Sequence, residues 1–166
     1  MSCLGVHLAL SDSEARALLS KHADKDRVNF IHEIEPRYFE EPQTYLAETD
    51  KSWDAMHRLL GDGRLTYDGG DYPLNHVVLG GQKLHEHDDY LISLKTPEQV
   101  RHVASALANI DEVEFRRRYD ALDPGQYDGE IGDDDFAYTW DWFQGVRALF
   151  QVAASEGRYV LFSVDQ

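Results

Sequence analysis

The chain has 166 residues and a formal net charge of −15, because 31 acidic side chains face 16 basic ones. Apolar residues make up 42% of the chain, which is enough to build one core, so the composition excludes a disordered chain and predicts a single domain over residues 1–166. The negative charge excludes nucleic acid and anionic membranes as expected partners and favours a basic protein. An acidic surface can also serve solubility alone, and that alternative stays open.

The cysteine content and the first residues indicate a cytoplasmic protein. Cys3 is the single cysteine, so the chain cannot form an internal disulfide and fits a reducing compartment. The apolar opening lacks a basic segment and a cleavage site, and no apolar run approaches the ~20 residues that cross a bilayer. Cys3 itself is expected to be a core residue.

The first third of the chain predicts a strand, a capped helix and a poorly patterned segment. The strand runs from Cys3 to Leu10, and Ser11 and Glu14 then have the spacing of a capping box at the start of a helix. Residues 24–50 contain two prolines and scattered aromatic residues, so short helices joined by bends are expected there.

The middle of the chain contains a helix followed by a glycine-rich loop. In "DKSWDAMHRLLGDG", Trp53, Met56, His57 and Leu60 fall on one helical stripe. Gly61 then ends the helix, and the residues up to 71 form a loop. The segment "YPLNHVVLGG" fits either a short helix or a strand.

The remaining sequence has the clearest signals. "YLISL" predicts a strand, and Thr96, Pro97 and Gln99 provide an N-cap, a first helical residue and a capping box for the next helix. "DEVEFRRRYDAL" predicts a further helix, and residues 123–135 predict an acidic loop. A long aromatic helix and a final strand, "RYVLFSVD", follow the loop.

Together these elements predict an α+β domain. We expect a small mixed sheet of about three or four strands, covered mainly on one face by about six helices. The long aromatic helix immediately precedes the last strand.

The run "HEHDD" is the strongest metal-like motif. In a strand, His85 and His87 would share one face, but zinc takes about four ligands and nothing identifies the others. No cysteine partner or H-E-x-x-H spacing accompanies the two histidines. We therefore expect a solvated loop, no metal and no cofactor, and these histidines remain the candidates if a metal does bind.

No standard catalytic motif is present, and one helix offers a candidate binding site. The chain contains no nucleophile elbow, no phosphate-binding loop and no dinucleotide fingerprint, so no catalytic residue is assigned. Trp53 and His57 are neighbours on one helical turn, flanked by Asp54, and could contact a ligand or a partner. The alternative is that His57 is hydrogen-bonded inside the core.

Four segments resemble the YfbM-like family, domain of unknown function 1877. They are "DKSWDAMHRLLGDG", "PLNHVVLGGQKL", "LKTPEQVRHVASALANIDEVEFRRRYD" and the aromatic helix with its "YVLFSV" strand, and the opening "CLGVHLAL" is similar too. The resemblance implies a small bacterial α+β domain without an assigned activity, cofactor or catalytic residue. The "HEHDD" run and the glycine-rich insert before Pro73 lie outside the family pattern.

We therefore expect a non-catalytic cytoplasmic protein that binds another protein, in one version an acidic inhibitor or immunity protein of a basic toxin. The alternative is a small-molecule-binding or metal-dependent enzyme that uses a cleft at Trp53 and His57. A ligand groove beside the long aromatic helix is a third hypothesis. The sequence indicates no oligomeric state.

Overall fold

The structure is a computed structural model that describes residues 3–166. In this range the chain forms one five-stranded sheet of order β2-β1-β5-β4-β3. The strands are β1 (Gly5–Leu10), β2 (Leu46–Asp50), β3 (Gln82–Lys83), β4 (Tyr90–Lys95) and β5 (Tyr159–Asp165). The helices are α1 (Asp12–Leu19), α2 (Asp24–Tyr38), α3 (Trp53–Leu60), α4 (Pro97–Leu107), α5 (Glu112–Asp120) and α6 (Asp133–Glu156), with a 3-10 turn at Leu74–His76.

The predicted α+β class is confirmed, and the sheet is slightly larger than expected. All of its pairings are antiparallel, whereas a mixed sheet was expected. The additional strands are β2, in the segment for which only helices were predicted, and the two-residue β3. β2 is an edge strand of five residues whose burial does not alternate, since Leu46 and Ala47 are both buried, so pairing with β1 and not a local apolar pattern defines it.

Two predicted capping boxes are present. The Ser11 side chain accepts a hydrogen bond from the backbone N–H of Glu14, and Thr96 does the same for Gln99. In both cases the glutamate or glutamine side chain accepts from the backbone N–H of the capping residue. These helix starts are set by residues three apart, which is why sequence alone located them.

Helices cover both faces of the sheet. The larger core lies between the sheet and helices α3 to α6, and the smaller core lies between the sheet and helices α1 and α2. As predicted, most of the helices, α3 to α6, cover one face of the sheet. Helices α1 and α2 cover the other face. The alternation of β1 illustrates this division, since His7 and Ala9 face the larger core while Val6 and Leu8 face the smaller one.

The aromatic helix α6 crosses the larger core. Phe143 and Phe150 are fully buried, and Phe143 stacks on Phe115 of α5 with ring centroids 4.5 Å apart. The helix starts at Asp133, so three residues of the predicted acidic loop form its first turn, where carboxylates favour the positive end of the helix dipole. Trp140 packs against this core, as expected for an aromatic stripe.

Two glycines give opposite predictions for substitution by alanine. At Gly5 an added Cβ would lie against Thr49 Oγ1 and 2.9 Å from Trp53 Cδ1, so Gly5→Ala should lower the free energy of unfolding by about 1–3 kcal/mol. At Gly145, inside α6, the nearest group is Ala47 Cβ at 3.9 Å. Gly145→Ala should therefore raise the free energy of unfolding by about 1 kcal/mol. Urea unfolding of both variants measures the two effects, and equal changes would contradict the described contact at Gly5.

Candidate functional site

The strand register places four strand termini at one end of the sheet. Gly5 pairs with Asp50 and Tyr90 pairs with Asp165. Since all pairings are antiparallel, the starts of β1 and β4 lie beside the ends of β2 and β5.

Three of these termini carry acidic residues, and we call this part of the molecule the acidic end. Asp89 is paired there, because its carboxylate lies 2.9 Å from His85 Nε2. Within residues 3–166 the other carboxylates of the group make no ion pair. The acidic end comprises Glu48, Asp50, Asp88, Asp89 and Asp165.

A cavity of about 660 Å³ opens at the acidic end on the face covered by α3 and α6, and we call it cavity A. Trp53 and Asp54, two of the residues predicted as a binding site, line it. Its charged side chains are three carboxylates and two bases, and its aromatic wall includes two tyrosines. These residues are Asp54, Asp128, Asp135, Lys51, Arg58, Tyr127 and Tyr138.

Two of the carboxylates in cavity A are held in place by neighbouring side chains. The hydroxyls of Tyr119 and Tyr127 donate to Asp135 at 2.6 and 3.1 Å, and Arg58 Nε donates to Asp54. Burial, together with the bond to Asp135, raises the pKa of Tyr119 to about 12. The Tyr119 hydroxyl therefore stays protonated and remains a donor to Asp135.

The structure brings together two of the three predicted site residues. Trp53 is 3% exposed, and its Nε1–H donates to the carbonyl of Cys3 at 3.0 Å. His57 does not line cavity A. Its Nε2–H donates to the Thr66 carbonyl at 2.7 Å and its Nδ1 accepts from the N–H of Leu79 at 3.4 Å. Burial lowers the pKa of His57 to about 4, so the imidazole is neutral at pH 7 and both of its nitrogens are engaged.

The "HEHDD" run lies in the loop before β4. His85 differs from the expected solvated loop because it is only 5% exposed, whereas His87 is exposed. Their ring centroids are 6.0 Å apart, and the carboxylate of Asp24 lies 3.7 Å from His85 Nδ1. Across residues 3–166 no three His, Cys, Asp or Glu side chains are grouped so as to hold a metal ion.

Sequence reasoning missed a polar cluster inside the larger core. Residues 77–80, which we call the buried loop, follow the 3-10 turn and belong to no helix or strand. Their backbone groups need hydrogen-bond partners because water does not reach them. His7 Nε2–H donates to the Val77 carbonyl at 2.8 Å, and Ser93 Oγ donates to the Val78 carbonyl at 3.0 Å.

Lys95 completes this cluster. Its Nζ donates to the Val78 carbonyl and, at 2.6 Å, to Ser93 Oγ. Burial lowers the pKa of Lys95 well below its ordinary value and lowers the pKa of His7 to about 3. A lysine at the end of an apolar strand is normally expected at the surface. The sequence did contain one signal of this burial. Lys95 lies two residues after Ser93 and four after Leu91, so its side chain lies on the same strand face as theirs.

The chain thus has a small antiparallel sheet with helices on both faces, and it belongs to the family described as a domain of unknown function, DUF1877, whose model matches residues 1–163. It is similar to the crystal structure of YfbM from Escherichia coli, a protein of unknown function, with 19% sequence identity and a TM-score of 0.68. That similarity covers 97% of this chain and 99% of YfbM, and it concerns the fold. A search of the curated proteins finds no match.

Within residues 3–166 no helix has the length and apolar character to cross a bilayer.

The buried lysine makes stability depend on pH. Between the lowered folded pKa of Lys95 and the unfolded pKa of about 10.4, only the unfolded state binds this proton, so the free energy of unfolding rises with pH at about 1.4 kcal/mol per unit. Lys95→Met should therefore be more stable than the parent at pH 7 and should lose this dependence, while Val78 still accepts from Ser93. Lys25→Met, at an exposed position of α2, is the matched control and should leave the dependence unchanged.

Urea unfolding between pH 7 and 10 measures both variants. A parent protein whose free energy of unfolding is flat over this range would contradict the lowered pKa of Lys95. The buried histidines act below that range. Because the folded pKa of His7 is about 3 and that of His57 about 4, their stabilising contribution is complete above about pH 6.5 and is lost as the pH falls below it.

Proposed function

We propose that this chain is a non-catalytic, cytoplasmic interaction protein that binds a basic protein through the acidic end of its sheet. The observation that carries the proposal is the strand register, which gathers unpaired carboxylates from separate parts of the chain at one end. A concentrated negative surface attracts a basic protein and accelerates its association.

Cavity A supports the same proposal. It lies at the acidic end and contributes further carboxylates, of which Asp128 is exposed and makes no ion pair within residues 3–166. Tyr127 and Tyr138 form an apolar wall beside these charges. A surface of this kind suits a lysine or arginine side chain, which combines an apolar stem with a charged head.

The proposal is better supported than an enzyme that uses a cleft at Trp53 and His57. His57 faces the buried loop and not the cavity that Trp53 and Asp54 line. His7, His57 and Lys95 all bond to backbone groups, so they serve the fold. One concrete version of the function is an inhibitor or immunity protein that captures a basic toxin by electrostatic steering.

Neutralising the acidic end should weaken binding of a basic partner. The triple variant Glu48→Gln, Asp88→Asn, Asp165→Asn removes three exposed charges at the acidic end. With a short, fluorescently labelled poly-L-lysine chain as the probe at low salt, we expect the dissociation constant to rise by about tenfold. Fluorescence anisotropy measures it.

The control is a second triple variant with the same net charge. Asp12→Asn, Glu98→Gln and Glu156→Gln remove exposed acids that flank the end of β1, the end of β4 and the start of β5, at the opposite end of the sheet. This control should bind the probe nearly as tightly as the parent. Equal weakening by both triple variants would mean that net charge alone attracts the probe, and the proposed docking surface would be wrong.

A further inference from the structure

A second cavity lies at the acidic end, on the opposite face of the sheet from cavity A. This cavity, which we call cavity B, has a volume of about 270 Å³ and lies between α2 and the sheet. Small-molecule sites are typically about 300–1,000 Å³, so cavity B is closer to the size of one long side chain.

The charges that line cavity B have a single sign. Glu35 from α2, Glu48 from β2 and Asp165 from β5 all border it. Within residues 3–166 none of the three makes an ion pair, and no lysine, arginine or histidine lines the cavity. Burial raises the pKa of Glu35, and the nearby His32 opposes that rise without cancelling it.

Ser163 is an independent sign that cavity B receives a ligand. The residue is only 3% exposed and lines the cavity, and its hydroxyl makes no hydrogen bond within residues 3–166. Its cross-strand neighbours Val6 and Ile92 are apolar. Because the Ser163 Oγ atom is not fully enclosed, the cavity is where a hydrogen-bond partner can approach it.

Two apolar side chains at cavity B are unusually exposed. Leu4 is 46% and Phe39 is 38% exposed, and both line the cavity. They line the cavity together with its three carboxylates and the Ser163 hydroxyl. Among side chains, arginine fits this combination, because its stem covers apolar surface while its guanidinium offers five donors to several acceptors.

We propose that cavity B is the anchor pocket for one arginine side chain of the basic partner. The guanidinium is bound by the Glu35 carboxylate and the Ser163 hydroxyl, and the stem packs against Leu4 and Phe39. This inference rests on the proposed function, since it names the side chain through which the partner is held at the acidic end. Such desolvated arginines carry a large share of the binding free energy of protein interfaces.

The test uses a single arginine unit as the probe. Nα-acetyl-arginine methylamide is titrated into isotope-labelled protein and the backbone amide shifts are followed by NMR. We expect saturable shifts at residues of cavity B, including Val6, Phe39 and Ser163. The citrulline analogue has the same shape without the charge and should bind about tenfold more weakly.

Two substitutions identify the groups that bind the probe. Glu35→Gln keeps the size of the side chain and should weaken binding by about tenfold, whereas Glu33→Gln removes an exposed charge of the same helix and should have little effect. Ser163→Ala should weaken binding by about threefold without lowering the unfolding temperature, because the hydroxyl it removes has no partner in the protein.

The outcomes separate this inference from the proposed function. Equal binding of the arginine and citrulline compounds, or equal affinities of Glu35→Gln and Glu33→Gln, would overturn the arginine pocket. In that case poly-L-lysine would still distinguish the two triple variants if the acidic end is the docking surface. Conversely, if the two triple variants bind poly-L-lysine with equal dissociation constants, the proposed docking surface is wrong, whether or not the single arginine compound binds.

Discussion

The larger core depends on how the buried loop at residues 77–80 is hydrogen-bonded. Irregular backbone is normally found at the surface, because its carbonyl and N–H groups then bond to water. Here the loop is fully enclosed, and side chains from three elements replace water: His7 from β1, His57 from α3, and Ser93 with Lys95 from β4. Each of these polar side chains would be costly to bury alone, and each is placed where the loop needs a donor or an acceptor.

This arrangement bears directly on function. A buried lysine and two buried histidines with lowered pKa values are features that often mark an active site. In this chain their nitrogen atoms contact backbone groups of the protein's own loop, and none of the three side chains lines cavity A or cavity B. The lowered pKa values of these three residues therefore result mainly from their burial around this loop. The acidic end, by contrast, carries exposed carboxylates that make no ion pair within residues 3–166, among them Glu48, Asp88 and Asp165.

Sequence reasoning succeeded where structure is determined by near neighbours. The capping boxes at Ser11 and Thr96 were located because each depends on two residues three apart. β2 was missed because its pairing partner is about forty residues away, and the sequence carries no local trace of long-range pairing. The same reason hid both cavities: Glu35 and Ser163 are far apart in the chain and are joined only by the packing of α2 on the sheet. Trp53 and His57 were found as neighbours on one helical turn with Asp54 beside them, whereas the inward direction of His57 depends on the buried loop.

The acidic end also has an energetic consequence for the free protein. Asp54, Asp89 and Asp135 each have a donor within the chain, so bringing them together costs little. Glu48, Asp88 and Asp165 have no ion-pair partner within residues 3–166, and folding brings them closer than they are in the unfolded chain, where repulsion is weaker. Gathering them therefore reduces the stability of the folded state, through self-repulsion that salt screens only in part. A basic partner bound at the acidic end, as proposed, would remove that repulsion, so the same carboxylates that weaken the free protein would stabilise the complex.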